Sequence, residues 1–298
     1  MTTFVAITVS GLALGAVYFL IASGLSLIYG LMDVLNFAHG VFLTLGAYAG
    51  WEAAQYLPQQ GWTFGVTAAA AAAAGAGIAA VTELLLIRPL YGKPVSQILV
   101  TIGLDLALVG LLLGGFGSDS RSIQVPGWLT QATTIGPERI PNGDFAALGT
   151  GLAVLAALTW FLRKTRYGII IRAGAENRDM VRALGIDVGR AFTLVFAIGG
   201  AAAGLAGLLN SVVFASALVD PTQGDTLLIF AFIVVVIGGL GSVTGSALAA
   251  VLVGLVQVYV TFYAGSGAGL AQLGNISVVL VLAIVLLVRP RGLLGRTA

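Results

Sequence analysis

A bundle of membrane-crossing α-helices is the fold class this sequence predicts, and three observations predict it. The 298 residues are 58% hydrophobic and 9% charged, where a soluble domain carries about 25% charged residues. Apolar runs of the roughly 18–20 residues needed to cross a bilayer recur along the chain. The basic residues cluster in short stretches between those runs. The expectation is an all-α polytopic bundle of eight or nine transmembrane segments, with room for broken or re-entrant ones, forming a single domain over residues 1–298.

The segments lie at about 4–30, 39–57, 64–87, 95–117, 146–163, 191–214, 226–241, 245–264 and 272–288. The first has no basic residue before it, so no cleaved signal peptide is expected. Its Gly11 and Gly15 have the small-xxx-small spacing that lets helices approach closely in lipid, as do Gly200/Gly204 and Gly241/Gly245. Trp51, Tyr56 and Trp62 flank the turn after the second segment, where interface aromatics belong. In the third, the alanine run 68–74 predicts a closely packed helix. There Gly75-Ala-Gly77-Ile-Ala-Ala80 imitates a dinucleotide fingerprint, but no strand precedes it and the reading is rejected. Glu83, one or two turns from Arg88, is expected to form an interfacial ion pair. Prolines 126, 137 and 141 with glycines 127, 136 and 143 predict no long helix over 118–145, the longest external loop. Gly238, Gly239, Gly241 and Gly245, interleaved with hydroxyls, predict either a re-entrant segment or a tight turn.

Orientation follows from the charges. Of fourteen Lys/Arg, all but Arg121 and Arg139 fall on one side if the C-terminus is cytoplasmic. Nine full crossings would then place the N-terminus outside. Residues 163–190 form a basic island on the cytoplasmic side, with Arg163, Lys164, Arg166, Arg172, Arg178, Arg182 and Arg190. Within it, Ala175–Leu184 has good helix formers and stops at Gly185, a C-cap residue. Met180 and Leu184 share a face, widened by Val181. Such a short amphipathic helix suits either a groove on a partner protein or an anionic lipid surface.

The sequence also excludes classes. It has no cysteine and one histidine, so disulfides, thiolate metal sites and His-cluster metal sites are not expected. No metal or cofactor is expected at all. The basic residues show no base-reading motif, so nucleic acid is not a partner. No G-x-x-x-x-G-K-[ST] phosphate loop is present. No paired catalytic acids or nucleophile–base spacing appear, so no enzyme activity is expected.

Two polar features at membrane depth remain. Asn36-Phe37-Ala38-His39-Gly40, near Asp33, lies between the first two segments. Either Asn36 caps a helix beginning at Phe37 with His39 at the interface, or the group lines a substrate pathway or gate. Asp105 lies about 15 Å into the fourth segment, one turn beyond Thr101. A carboxylate there must be paired, protonated or facing water, as a structural partner or a pathway group.

Read in order, the motifs resemble the branched-chain amino acid permease family of ATP-binding-cassette importers, most closely its shorter, H-type subunit. The resemblance rests on Asn36–Gly40, Leu45-Gly-Ala-Tyr48, Glu83 with Arg88-Pro-Leu90, and Thr101-Ile-Gly103. It continues through Arg166-Tyr-Gly168, Arg172-Ala173, Ala175-Glu-Asn177, Leu184-Gly-Ile-Asp187, Pro221–Gly224, Gly238–Ser242 and Arg289-Pro-Arg-Gly-Leu293. Val41 stands where the family commonly has Glu, Gly174 where Cys is frequent, and Asp105 where a small hydroxyl residue is usual.

The resemblance implies a multi-pass protein of the bacterial inner membrane. It would work with a second related permease, two cytoplasmic ATPase subunits and an external solute-binding protein. By residue type and depth, Asn36, Phe37, His39, Thr101 and Asp105 are the expected substrate-pathway residues, with Phe42, Leu99 and Phe230 as further apolar lining. Arg172, Glu176, Asn177, Met180, Val181, Leu184 and Gly185 would meet the ATPases, and Gly40, Gly238, Gly239 and Gly241 would serve backbone packing. A urea or short-chain amide importer is the alternative. A stand-alone proton-coupled carrier using Asp105, Glu83 and His39 is a more distant one.

Overall fold

The computed structural model describes residues 2–32, 35–58, 60–135, 138–176, 188–214, 216–268, 270 and 272–295. Every apolar segment identified in the sequence is helical. In chain order the helices begin with α1 (Thr2–Met32), α2 (His39–Gln55), α3 (Thr63–Thr82) and α4 (Pro94–Phe116). They continue with the one-turn α5 (Gly127–Thr130), α6 (Asn142–Lys164), α7 (Arg166–Glu176), α8 (Val188–Leu209), α9 (Gln223–Gly238), α10 (Val243–Ala268) and α11 (Leu273–Val288). Two strand pairs complete the described fold. β1 (Arg121–Ser122) pairs antiparallel with β4 (Leu218–Val219), and β2 (Ala132–Ile135) with β3 (Glu138–Pro141).

Six of these helices are long and apolar enough to cross a membrane: α1, α3, α4, α6, α8 and α10. The segments α9 and α11 are shorter apolar helices of 16 residues each, about 24 Å long against a hydrocarbon core of about 30 Å. The helix α2 has 17 residues. The fold is therefore an all-α polytopic membrane bundle with six full-length spans among the described residues, and three of the expected segments are shorter than a full crossing.

The helix α1, apolar all round, is the central post, and Val17 to Leu25 along it are fully or almost fully buried. Lipid tails are as apolar as leucine, so helices in a bilayer associate through close packing and polar contacts. That is where the glycines lie. Gly11 and Gly15 face α10 at Leu255 and Ala250, Gly30 faces Gly241, and Gly75 of α3 meets Gly200 of α8. The imitation fingerprint is thus a helix–helix contact. The helix α4 is the outlier. Only Gln97, Thr101 and Leu112 are buried on it, while Val95, Leu99, Leu106 and Leu111 are largely exposed.

The two ends of the bundle differ. At one, Trp51 Nε1 donates to Ser122 O (3.0 Å), tying the β1–β4 pair to α2, and Ser120 Oγ donates to Asp220 (3.1 Å). At the other, basic end, Arg88 pairs with the buried Glu83 (3.3 Å), as the sequence predicts, and both meet Thr193. The glycine-rich stretch is a tight turn. α9 stops at Gly238 and α10 starts at Val243, with Gly239 at φ +98° and Gly241 at +79° between them. The C-terminal stretch stitches onto it through Leu293 N to Ile237 O (2.7 Å) and Leu294 N to Gly238 O (3.1 Å).

The helix described in the basic island is α7, which ends at Glu176. It buries Gly168, Ile171 and Gly174 at three-residue spacing and exposes Arg172. The expected amphipathic helix, with Asn177, Met180, Val181, Leu184 and Gly185, falls on residues 177–187, outside the described residues, as does Asp33.

Candidate functional site

The helix α2 does not begin at Phe37, as a simple cap by Asn36 requires. It begins at His39, and the chain before it turns inside the protein. Asn36 Oδ1 accepts from Ala38 N (3.1 Å), Asn36 O accepts from His39 N (3.3 Å), and Phe37 N donates to Thr101 Oγ1 (3.4 Å). A polar side chain that satisfies its own backbone two residues on competes with helix and holds the turn. The depth of this turn is set by His39, which is fully buried. Its Nε2 lies 3.1 Å from Ile21 O, eleven residues and about 16 Å back from the end of α1. A ring nitrogen facing a carbonyl carries the hydrogen, so Nδ1 is the unprotonated nitrogen in the neutral ring. His39 is therefore not at an interface.

A second helix starts beside the first. The opening turns of α2 and α9 meet at Gly40 and Gly224, where a Cβ on Gly40 would lie 3.0 Å from Gly224 O. Gly224 N donates to Thr44 Oγ1 (3.1 Å). The first turns of two helices thus meet beside each other, each bringing the positive end of its helix dipole. The neighbouring α4 supplies Thr101 and Asp105 from its inner face. Asp105 faces the Val41 amide and the carboxyl of Asp225, in the first turn of α9. Phe37 stacks tilted on Phe232 (5.3 Å between centroids).

Several polar atoms in this cluster are buried with no partner: Asn36 Nδ2, Asp105 Oδ1, Gln223 Nε2 and His39 Nδ1. Gln223 is held at its other end, where its Oε1 accepts from Ser211 Oγ (2.9 Å). An unpaired buried polar atom costs about 1–3 kcal/mol. Four of them gather where the first turns of α2 and α9 meet. Asn36, Phe37, Gly40, Thr101 and Asp105 come together as a group. His39 packs on the α1 side of it, next to Gly24. The expected apolar lining does not assemble: Phe42 is fully buried, Leu99 lies 65% exposed on the outer face of α4, and Phe230 stacks on Tyr18. Glu83, Asp105 and His39 have separate partners, which leaves a relay among them without a path. In sequence, Gln223 lies within the Pro221–Gly224 motif and Asp225 directly follows it. Their proximity to a helix start was the available signal.

Helix starts within a membrane bundle, beside unpaired polar groups, are a recurring feature of transport proteins. This chain belongs to the family described as branched-chain amino acid transport system / permease component, which matches residues 7–289. It is 29% identical to the high-affinity branched-chain amino acid transport system permease protein LivH of Escherichia coli strain K12, over 96% of this chain and 94% of that one. It is 30% identical to the corresponding permease protein BraD of Pseudomonas aeruginosa, over 97% and 94%. A shorter likeness, 30% over 34% of the chain, reaches the probable branched-chain amino acid transport permease protein LivM of Methanocaldococcus jannaschii. No solved structure matches.

Proposed function

We propose that this chain is one half of the translocation pathway of an ATP-driven importer of branched-chain amino acids, and that the cluster between α2, α4 and α9 handles the substrate's amino-acid end. The observation that carries the site is the set of unpaired atoms. Asp105 Oδ1 accepts from the substrate ammonium, with the Asp225 carboxyl adding negative charge. Asn36 Nδ2 and Gln223 Nε2 donate to its carboxylate, beside the two helix N-termini that favour an anion. Phe37 and Phe232 offer apolar surface to a branched side chain. The relatives' names favour a branched-chain substrate over urea or an amide.

The outer face of α4 is apolar and little covered, and a second related permease fits there, closing the pathway from the other side. The chain carries no phosphate loop, so two cytoplasmic ATPases supply the motion, and an external binding protein delivers the substrate. The contact with the ATPases is made by residues 172–187, with Arg172 and Glu176 leading into Asn177, Met180, Val181, Leu184 and Gly185. Eight or nine crossings, counting the short helices, put the C-terminus and the basic end in the cytoplasm.

The test is uptake by the complete importer, co-purified and reconstituted in proteoliposomes. Labelled leucine is expected to enter only with ATP, with competition from isoleucine and valine and none from urea. Asp105→Asn is expected to cut uptake by about tenfold or more, the value of one charge-assisted hydrogen bond, with normal membrane insertion. Competition by urea alone moves the substrate to the amide class, and uptake driven by a proton gradient without ATPases overturns the importer reading.

A further inference from the structure

A second site lies at the basic end, apart from the transport cluster and sharing only Arg172 with the proposed ATPase contact. A cavity of about 450 Å³ opens there between α1, α6, α7 and the turn that starts α10. Ser26 and Gly30 line it from α1, Arg163 from α6, Arg172 from α7, and Ser242 and Thr244 from the turn. Three features point to an anion. First, both arginines are exposed, and neither has a carboxylate partner among the described residues. Second, the cavity meets the N-terminus of a 26-residue helix. Its first amides are open there, because Ser242 Oγ and Ser242 O already accept from Gly245 N (3.1 Å) and Ser246 N (2.8 Å) while Val243 and Thr244 line the cavity. Third, Ser26 is fully buried and its hydroxyl has no partner. It lies one helical turn from Gly30, on the face packed against Gly241.

Two guanidinium forks, open helix amides and a spare hydroxyl form a donor set matched to a tetrahedral oxyanion. We propose that this cavity is a binding site for a phosphate group. Its setting offers two sources of that chemistry. Arg163 sits in the last turn of a long apolar helix, the level at which basic side chains meet lipid headgroups. The volume also admits a soluble phosphate compound. A bound phosphate would clamp α1, α6 and the α9–α10 turn to α7, the helix that leads into residues 177–187. The site is independent of the transport cluster and stands whether or not that assignment does.

The test uses the full chain purified in neutral detergent. Its thermal unfolding is followed with added phosphatidylglycerol, phosphatidylcholine, inorganic phosphate or ATP, and native mass spectrometry counts bound lipid. A rise in Tm with phosphatidylglycerol but not phosphatidylcholine identifies a lipid headgroup, and a rise with inorganic phosphate or ATP identifies a soluble source. Arg163→Gln with Arg172→Gln is expected to weaken binding about tenfold or more. Ser26→Ala, which removes an unpaired hydroxyl, is expected to leave basal Tm unchanged or higher and to shrink the ligand-induced rise. If the arginine variants do not fold, hydrogen exchange on the unaltered chain decides, with slower exchange at Val243 and Thr244 when the anion is present. No Tm rise with any of the probes, or a rise that survives Ser26→Ala undiminished with unchanged exchange at these amides, overturns the proposal.

Discussion

Glycine 24 shows how single positions hold this protein together. A Cβ there would fall 2.7 Å from the Gly199 backbone and 2.9 Å from His39 Cε1. Position 24 is where α1, α8 and the His39 ring share one layer. Overpacking a closed contact costs about 1–3 kcal/mol, so Gly24→Ala is expected to lower Tm by several degrees and to loosen the start of α2. Gly103, with nothing within 4 Å, supplies the contrast: Gly103→Ala leaves Tm unchanged or slightly raised, since alanine is the better helix former. Equal effects of the two substitutions would refute this reading of the packing. The Asp220 carboxyl is a residue-scale lock at the opposite end of the bundle. Burial pushes its pKa up, but hydrogen bonds from the Thr222 hydroxyl and amide and from Ser120 outweigh that and hold it below the usual carboxylate range. A depressed folded-state pKa gives stability that is present above the unfolded value, about 3.9, and lost as pH falls through the lower folded value. The Tm gap between the unaltered chain and Asp220→Ala is therefore expected at pH 7 and should close towards pH 3. A gap that persists unchanged would remove the carboxylate from the account.

At the scale of elements, the short helices matter more than the long ones. The turn between α9 and α10 works because Gly239 and Gly241 have left-handed backbone that a side chain adopts only with strain. Gly239 also lies against the Gly295 backbone, where a Cβ would come within 2.5 Å. Gly239→Ala is expected to cost about 1–3 kcal/mol and to free the C-terminal stretch, read as faster proteolysis after Arg291. Unchanged cleavage would mean that the Leu293 and Leu294 hydrogen bonds hold without it. The helices α2 and α9 carry the functional reading, because their first turns meet at Gly40 and Gly224 beside the unpaired polar atoms. Sequence patterning located both helices to within a few residues. It left open whether Asn36 and His39 sit at the interface or line a pathway. The contact of His39 with Ile21, eighteen positions away, is what places it deep.

For the whole molecule, the distribution of charge predicts sidedness. The chain has no cysteine, so an introduced one reports on its own position. Lys93→Cys at the basic end is expected to resist an impermeant maleimide on intact cells, and Asp119→Cys at the opposite end to react. The reverse pattern would invert the topology and remove the 163–190 island from the cytoplasm. The sparse cover on α4 belongs to this scale too. Its exposed face is a surface for another membrane helix or for lipid, as a half-pathway requires.

The amino-acid sequence by itself determined the membrane class, the helical segments, the ordered motifs and the Glu83–Arg88 pair, because hydropathy, charge and short-range spacing are local properties. Only the tertiary structure decided that the Asn36 turn lies inside the bundle, that Gly40 meets Gly224, and that Asp225 joins Asp105. Those contacts link residues 18 to 184 positions apart, and they depend on which helices glycine lets approach. No local pattern encodes that choice; it is settled when all the helices pack at once.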